Sequence, residues 1–247
     1  MDRLIYVGMT AAKHTMTQLA AISQNLANIE TTGYKSDVNM FQAVPVKGSG
    51  NPTREFVVNS LVGSDLSSGA IEHTGNPLDL AVVGQGWFTV KLADGSEAYT
   101  RNGNFKIDPN GMLQTNNGLS VMGEDGGPVA IPPNTQVTIG KDGTISTVPY
   151  GDLPNSVTIL GRLKLVNPPD NQMMKGLDNL FRLKSGKPAE ADTNVQVMSG
   201  SLEGSNVNAI ESMINMISLG RSFDMQMKLL QTADGNASKA SGLLNIG

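Results

Sequence analysis

Every proline in this chain lies between Pro45 and Pro188, so both ends are free to be helical while the middle is not. A proline inside a helix removes a hydrogen bond and clashes with the preceding turn. The twelve prolines among 247 residues therefore mark out an interior of strands and turns. At the amino end, Ile5, Met9, Ala12, Met16, Leu19, Ser23 and Leu26 alternate at spacings of four and three. This is a heptad seam with one polar break. Residues 2–29 thus predict a helix, roughly 40 Å long at ~1.5 Å per residue. Asp2 suits its positive end, and Asn28 and Gly33 supply a stop.

At the carboxyl end, Met213, Met216, Gly220, Phe223, Met227 and Leu230 keep the same alternation. Beyond Thr232 the stripe is diluted by Asp234, Gly235 and Ser241. Residues 207–244 therefore predict a second helix whose far half forms only against a neighbour, capped by Ser205 or Asn206 with Glu211 in the first turn. Each helix carries an apolar stripe that it cannot bury alone. The stripes are rich in methionine, which packs adaptably.

Between the ends, Asp94-Gly95, Asn102-Gly103, Asn110-Gly111, Asn117-Gly118, Asp125-Gly126 and Asp142-Gly143 punctuate the chain. Such pairs suit type I′ hairpin turns, in which both central residues need positive φ. The short runs between them predict strands over 87–92, 97–101, 105–107, 112–115 and 119–122, with later ones over 157–166, 180–183 and 195–198. The expected fold class is α+β: terminal helices pairing as a coiled coil, and a β-rich central domain closing into a small barrel or sandwich. The expected boundaries are 1–35 and 205–247 for the helical domain, 36–73 for an extended linker, and 74–204 for the β-rich domain.

Composition narrows the function. Charged residues make up 16% and aromatic residues 4%, so much of the surface is polar but uncharged. The net charge is −4 with no run of Lys and Arg, which argues against a nucleic-acid partner. No apolar run approaches the ~20 residues of a transmembrane helix. The amino end lacks the apolar core and cleavage site of a secretory signal. The absence of cysteine excludes disulfides, thiolate metal sites and cysteine nucleophiles. The two histidines, His14 and His73, have no metal ligands at useful spacing. Asp108-Pro109-Asn110-Gly111 begins like a calcium loop but lacks its acidic twelfth position. Gly84-Gln85-Gly86 joins strand to strand, whereas a phosphate loop opens a helix. No nucleophile–base pair stands out. The expectation is a non-enzymatic protein without cofactor, metal or small-molecule substrate.

Five motifs then occur in collinear order: Ser23-Gln24-Asn25-Leu26-Ala27-Asn28 with Thr31-Thr32-Gly33-Tyr34-Lys35; Thr74-Gly75-Asn76-Pro77-Leu78-Asp79; Gly84-Gln85-Gly86-Trp87-Phe88; Tyr99-Thr100-Arg101-Asn102-Gly103; and Glu203-Gly204-Ser205-Asn206-Val207-Asn208. Together they resemble the signatures of the bacterial flagellar rod and hook proteins over nearly the whole chain. Tyr34 stands where Phe is common, and Gly220-Arg221-Ser222 where bulkier residues are usual.

The resemblance implies a structural subunit of the basal-body rod that polymerises head-to-tail into a torque-transmitting drive shaft, with helices inside and the β domain outside. The runs at 161–166 and 223–228 favour the proximal rod; a distal rod subunit and a soluble β-rich binding module are the alternatives. The implied partners are other rod proteins, further copies of the chain and the flagellar type III export apparatus. That apparatus would carry the chain from the cytoplasm to a rod spanning the periplasm without a cleaved signal, with a recognition segment near Phe41. The implied assembly interface joins the seam residues Ile5, Met9, Ala12, Met16, Leu19, Leu26, Met213, Met216, Phe223, Met227 and Leu230 to the signature residues Asn25, Asn28, Asn206 and Val207.

Overall fold

A computed structural model of the chain describes residues 2–45, 55–151 and 156–244. Helix α1 spans Asp2–Ala27. It stops where the side chain of Asn28 donates to the Gln24 carbonyl and Gly33 takes φ 67°. Strands β1 (Asp37–Pro45) and β2 (Glu55–Ser64) follow as an antiparallel hairpin, within residues expected to form an extended linker. The strand series continues with β3 (Ile71–His73), β4 (Leu80–Val83), β5 (Trp87–Lys91), β6 (Glu97–Thr100), β7 (Phe105–Ile107), β8 (Leu113–Thr115) and β9 (Ser120–Val121). After it come β10 (Thr135–Ile139), β11 (Thr144–Pro149), β12 (Thr158–Arg162), β13 (Leu165–Val166), β14 (Met173–Lys175), β15 (Phe181–Leu183), β16 (Gln196–Ser199) and β17 (Ser201–Glu203). Helix α2 runs from Ala209 to Leu244. The class is α+β, with one helix at each end and a β-rich interior in several sheets.

The chain divides into two compact units. The first holds residues 1–28, 37–65 and 207–247; the second holds 29–36 and 66–206. The backbone therefore passes from one unit to the other four times, after Asn28, Ser36, Asp65 and Asn206.

In the first unit, α1 and α2 pack side by side. Gln226 Nε2 donates to Thr15 Oγ1 at 3.1 Å, and Ala12 and Ala233 are buried. A Cβ added to Gly8 would come within 2.7 Å of Leu230 Cδ2. Residue numbers fall along α2 as they rise along α1, so the helices are antiparallel. Asn208 caps α2, accepting from the amides of Ile210 and Glu211 at 3.0 and 3.2 Å. The cap thus lies beyond Ser205 and Asn206, because it is the Asn208 carboxamide that reaches the first orphan amides. The helix continues through Gly220 and Gly235, where no neighbouring atom lies within 4 Å of an added Cβ.

In the second unit, β14–β15–β6–β5–β9–β8–β7 form an antiparallel sheet, with β13 also paired to β5. β10–β11–β12 form another sheet, and β16–β4 and β17–β3 are separate pairs. Leu80, Val82, Phe88, Leu113, Val121, Ile145, Leu163 and Leu165 share one core; Trp87, Tyr99 and Phe181 anchor a second. The run expected as one strand over 157–166 is two, β12 and β13. Strand β4 escaped the pattern reading because Leu80, Ala81 and Val82 are all buried, which erases period-two alternation.

Five of the six Asn-Gly and Asp-Gly pairs do turn the chain, though not as type I′ turns. Only the glycines, Gly95, Gly111, Gly118, Gly126 and Gly143, have positive φ; the residues before them do not. Each glycine amide donates three residues back, as Gly111 does to Asp108 and Gly118 to Thr115, both at 2.9 Å. These are three-residue loops ending in a left-handed residue. Gly103 is the exception, with no positive φ. A side chain there would overlap the Leu80 carbonyl, so glycine is required for close backbone approach.

Candidate functional site

The turn leaving α1 carries Gly33, Tyr34 and Lys35 into the second unit. The Gly33 amide donates to the Glu203 carbonyl at 2.7 Å, and a Cβ on Gly33 would strike the backbone joining Arg101 to Asn102. Lys35 is thereby placed with its Nζ 2.6 Å from Glu203 Oε1, while also donating to the Ser67 carbonyl at 2.6 Å. Glu203, the last residue of β17, is fixed by that strand's pairing with β3. Its Oε1 also accepts from the Gly69 amide at 3.0 Å, and its Oε2 accepts from Arg101 Nη1 at 2.9 Å. Arg101 spans from this carboxylate to the Gly84 carbonyl at 2.7 Å, with its guanidinium 5.3 Å from the Trp87 ring centroid. Lys35 and Glu203 are fully buried, and Arg101 is 3% exposed.

Four of the five sequence motifs meet at this cluster. Lys35 comes from the first, Gly84 and Trp87 from the third, Arg101 from the fourth and Glu203 from the last. The second is tied in one strand away, where the Asp79 carbonyl accepts from the Gly200 amide at 2.8 Å. The carboxylate of Glu203 has both oxygens engaged by cations, which gives it a structural role. Around it, Asn206 Oδ1 accepts from the Ser36 amide at 2.8 Å, and Lys175 Nζ lies 4.0 Å from the Tyr34 ring centroid. Tyr34 is buried, so its aromatic body fills the place as Phe would, with Lys175 over its face.

Comparison with known proteins matches the same segments. Three families fit: the one described as flagella basal body rod protein at residues 5–35, the flagellar hook protein FlgE/F/G D1 domain at 81–147, and the flagellar basal body rod FlgEFG protein C-terminal at 198–243. The flagellar basal-body rod protein FlgF of Escherichia coli strain K12 is 45% identical over 252 residues, covering 100% of both chains. Its counterpart in Salmonella typhimurium strain LT2 is 44% identical with the same coverage, and that of Caulobacter vibrioides 34%.

The chain belongs to the flagellar basal-body rod protein family. It is a structural subunit of the basal-body rod, in a family not known to be enzymatic. The buried charge cluster of this rod protein is then the joint that holds its signature segments together, and its surface is where assembly residues are to be sought.

The structure distributes the expected interface residues unevenly. Ala12 is buried, and Leu230 packs over Gly8. Leu19, Leu26, Met216 and Phe223 are half-buried. Met9 and Met16 are 56% and 54% exposed, and Met213 and Met227 are 51% and 39% exposed. The α1–α2 contact runs through Gly8, Ala12 and Thr15, so Met9 and Met16 stand one residue on, about 100° round the helix. Asn25 is buried and forms two bonds with Asp37, donating to its carbonyl at 2.9 Å and accepting from its amide at 2.8 Å. It fixes the start of β1. Asn28 ends α1, and Asn206 holds Ser36; Val207 is half-buried. Ile5 lies in α1 and Phe41 in β1, with side chains outside the described residues. The sequence reading missed Lys35, Arg101 and Glu203 as partners. Their signal was present: charged residues inside motifs of a chain only 16% charged.

Proposed function

We propose that this rod subunit belongs to the proximal rod and polymerises head-to-tail, its terminal helices paired as a coiled coil inside and its β-rich unit, a small barrel or sandwich, outside. The observation that carries the reading is the apolar surface exposed on both helices. Tyr6, Ile210, Ile214, Ile217, Met225 and Leu229 are 55%, 72%, 61%, 58%, 66% and 51% exposed, in addition to the methionines above. Burying one such side chain fully is worth about 1.5–3 kcal/mol, so a partner that covers the face gains readily. Contacts that repeat without closing on themselves generate helical shafts, and torque then passes through many of them at once. The proposed interface comprises the seam residues of both helices with Asn25, Asn28, Asn206 and Val207. The proposed partners are further copies, other rod proteins and the type III export apparatus, which takes the chain out without a cleaved signal.

The test is a strain whose only copy carries Ile214→Asp and Ile217→Asp. We expect at least a tenfold loss of the chain from isolated basal bodies, with an unchanged unfolding curve for the β-rich unit. Normal incorporation of the doubly substituted chain would overturn the reading.

A further inference from the structure

The chain has thirteen methionines and no cysteine, so thioethers are its principal oxidisable groups. Their placement is uneven. Met9, Met16, Met213, Met225 and Met227 lie on α1 and α2, each more than a third exposed, whereas Met122 and Met173 in the β-rich unit are 4% and 7% exposed. We propose that these five helix methionines form a modification site at which a peroxide-class oxidant blocks assembly of the free subunit, while the assembled rod is shielded. The proposal rests on the assembly reading above.

The chemistry is complete with peroxide alone. The sulfur donates an electron pair to one peroxide oxygen, the O–O bond breaks, an S–O bond forms, and water leaves. Sulfur loses two electrons, which the peroxide gains. The product is a polar, chiral sulfoxide in place of a flexible apolar side chain, and enzymatic reduction restores the thioether. In solvent the change costs little, because these side chains are already in water. In a packed contact each sulfoxide oxygen must be desolvated without a partner. The same adaptable side chain that suits an assembly surface thus makes that surface sensitive before assembly. Met174 and Met198, 54% and 45% exposed on the β-rich unit, provide an internal control. They should be modified as fast, and their modification alone should leave assembly intact.

The experiment treats the purified full chain and isolated basal bodies with hydrogen peroxide and reads each methionine by peptide mass spectrometry. In the free chain we expect the seven methionines named as exposed to oxidise at least fivefold faster than Met122 and Met173. In basal bodies we expect the five helix methionines to be at least fivefold protected. In cells under peroxide, incorporation should fall at least fivefold for the native chain. It should recover when the cells overproduce the methionine sulfoxide reductases that restore the thioether, and for Met174→Leu with Met198→Leu it should fall as in the native chain. Equal oxidation rates in free and assembled chain would overturn the proposal, as would an equal loss when the reductases are overproduced. If the untreated native chain were absent from basal bodies, the assembly reading would fail as well, which separates the two failures.

Discussion

Lys35 Nζ lies 2.6 Å from Glu203 Oε1 with neither side chain exposed, although 168 residues separate them along the chain. An ion pair in that setting is costly to assemble, since both charges leave water, and costlier to break singly. Glu203→Ala strands two buried cations, Lys35 and Arg101, and should destabilise the β-rich unit by about 3–5 kcal/mol. Glu203→Gln, which keeps the shape and some hydrogen bonds, should cost less. Urea unfolding followed by Trp87, the single tryptophan, checks both, because that ring is buried beside Arg101.

The glycines offer a comparison between two mechanisms. At Gly118, φ is 82° with no atom near an added Cβ, so Gly118→Ala should cost only the left-handed penalty of about 1–2 kcal/mol. At Gly103 the backbone is ordinary but the Leu80 carbonyl occupies the space, so Gly103→Ala must push β4 away. Overpacking of this kind costs about 1–3 kcal/mol. It should also raise amide exchange at Leu80, which donates to the Gly103 carbonyl, whereas Gly118→Ala should leave that amide protected.

Three turn carboxylates, beside Asp178 with its Arg182 partner, contribute to the acid sensitivity of the β-rich unit. The Met112 amide holds the Asp108 carboxyl below its ordinary value of 3.8. The Thr144 hydroxyl and amide do so for Asp142, and the Ser96 hydroxyl and amide for Asp94. With folded values depressed, the unfolded chain takes up protons first as pH falls. The stabilisation is therefore complete above about pH 5 and is lost progressively as pH drops through the folded values. Thermal unfolding should show a level midpoint from neutrality to about pH 5 and a decline below it. Replacing all three aspartates by Asn should flatten that decline.

Asn25→Ala removes both bonds to Asp37 and leaves part-buried backbone groups without them. The expected cost is about 1–3 kcal/mol, confined to the helix–hairpin unit. Hydrogen exchange at the Asp37 amide should accelerate while the Trp87 unfolding curve stays unchanged.

The helices and the turn rhythm were legible in the sequence because both are local and periodic. Ala12, Leu19 and Leu26 fall on the heptad seam and are buried or half-buried, yet Gly8 and Thr15, which meet the second helix, were not on the stripe. Glycine and threonine add nothing to an apolar pattern, although small residues are what allow helices to approach. The charge cluster was opaque for a different reason. Lys35, Arg101 and Glu203 come from three distant segments, and no spacing rule relates them. Strand β4 was hidden by burial on both faces, and the hairpin of β1 and β2 by its place among residues with little periodicity.

The fourfold passage of the backbone between the two units has a topological consequence. Units joined by one tether part company at a single break. Here a cut after Ser36 or Asp65 yields fragments that each retain pieces of both units, whereas a cut after Asn28 or Asn206 frees a terminal fragment that belongs to the first unit alone. Under load, a single break at any one of the four crossings leaves three covalent links between the units.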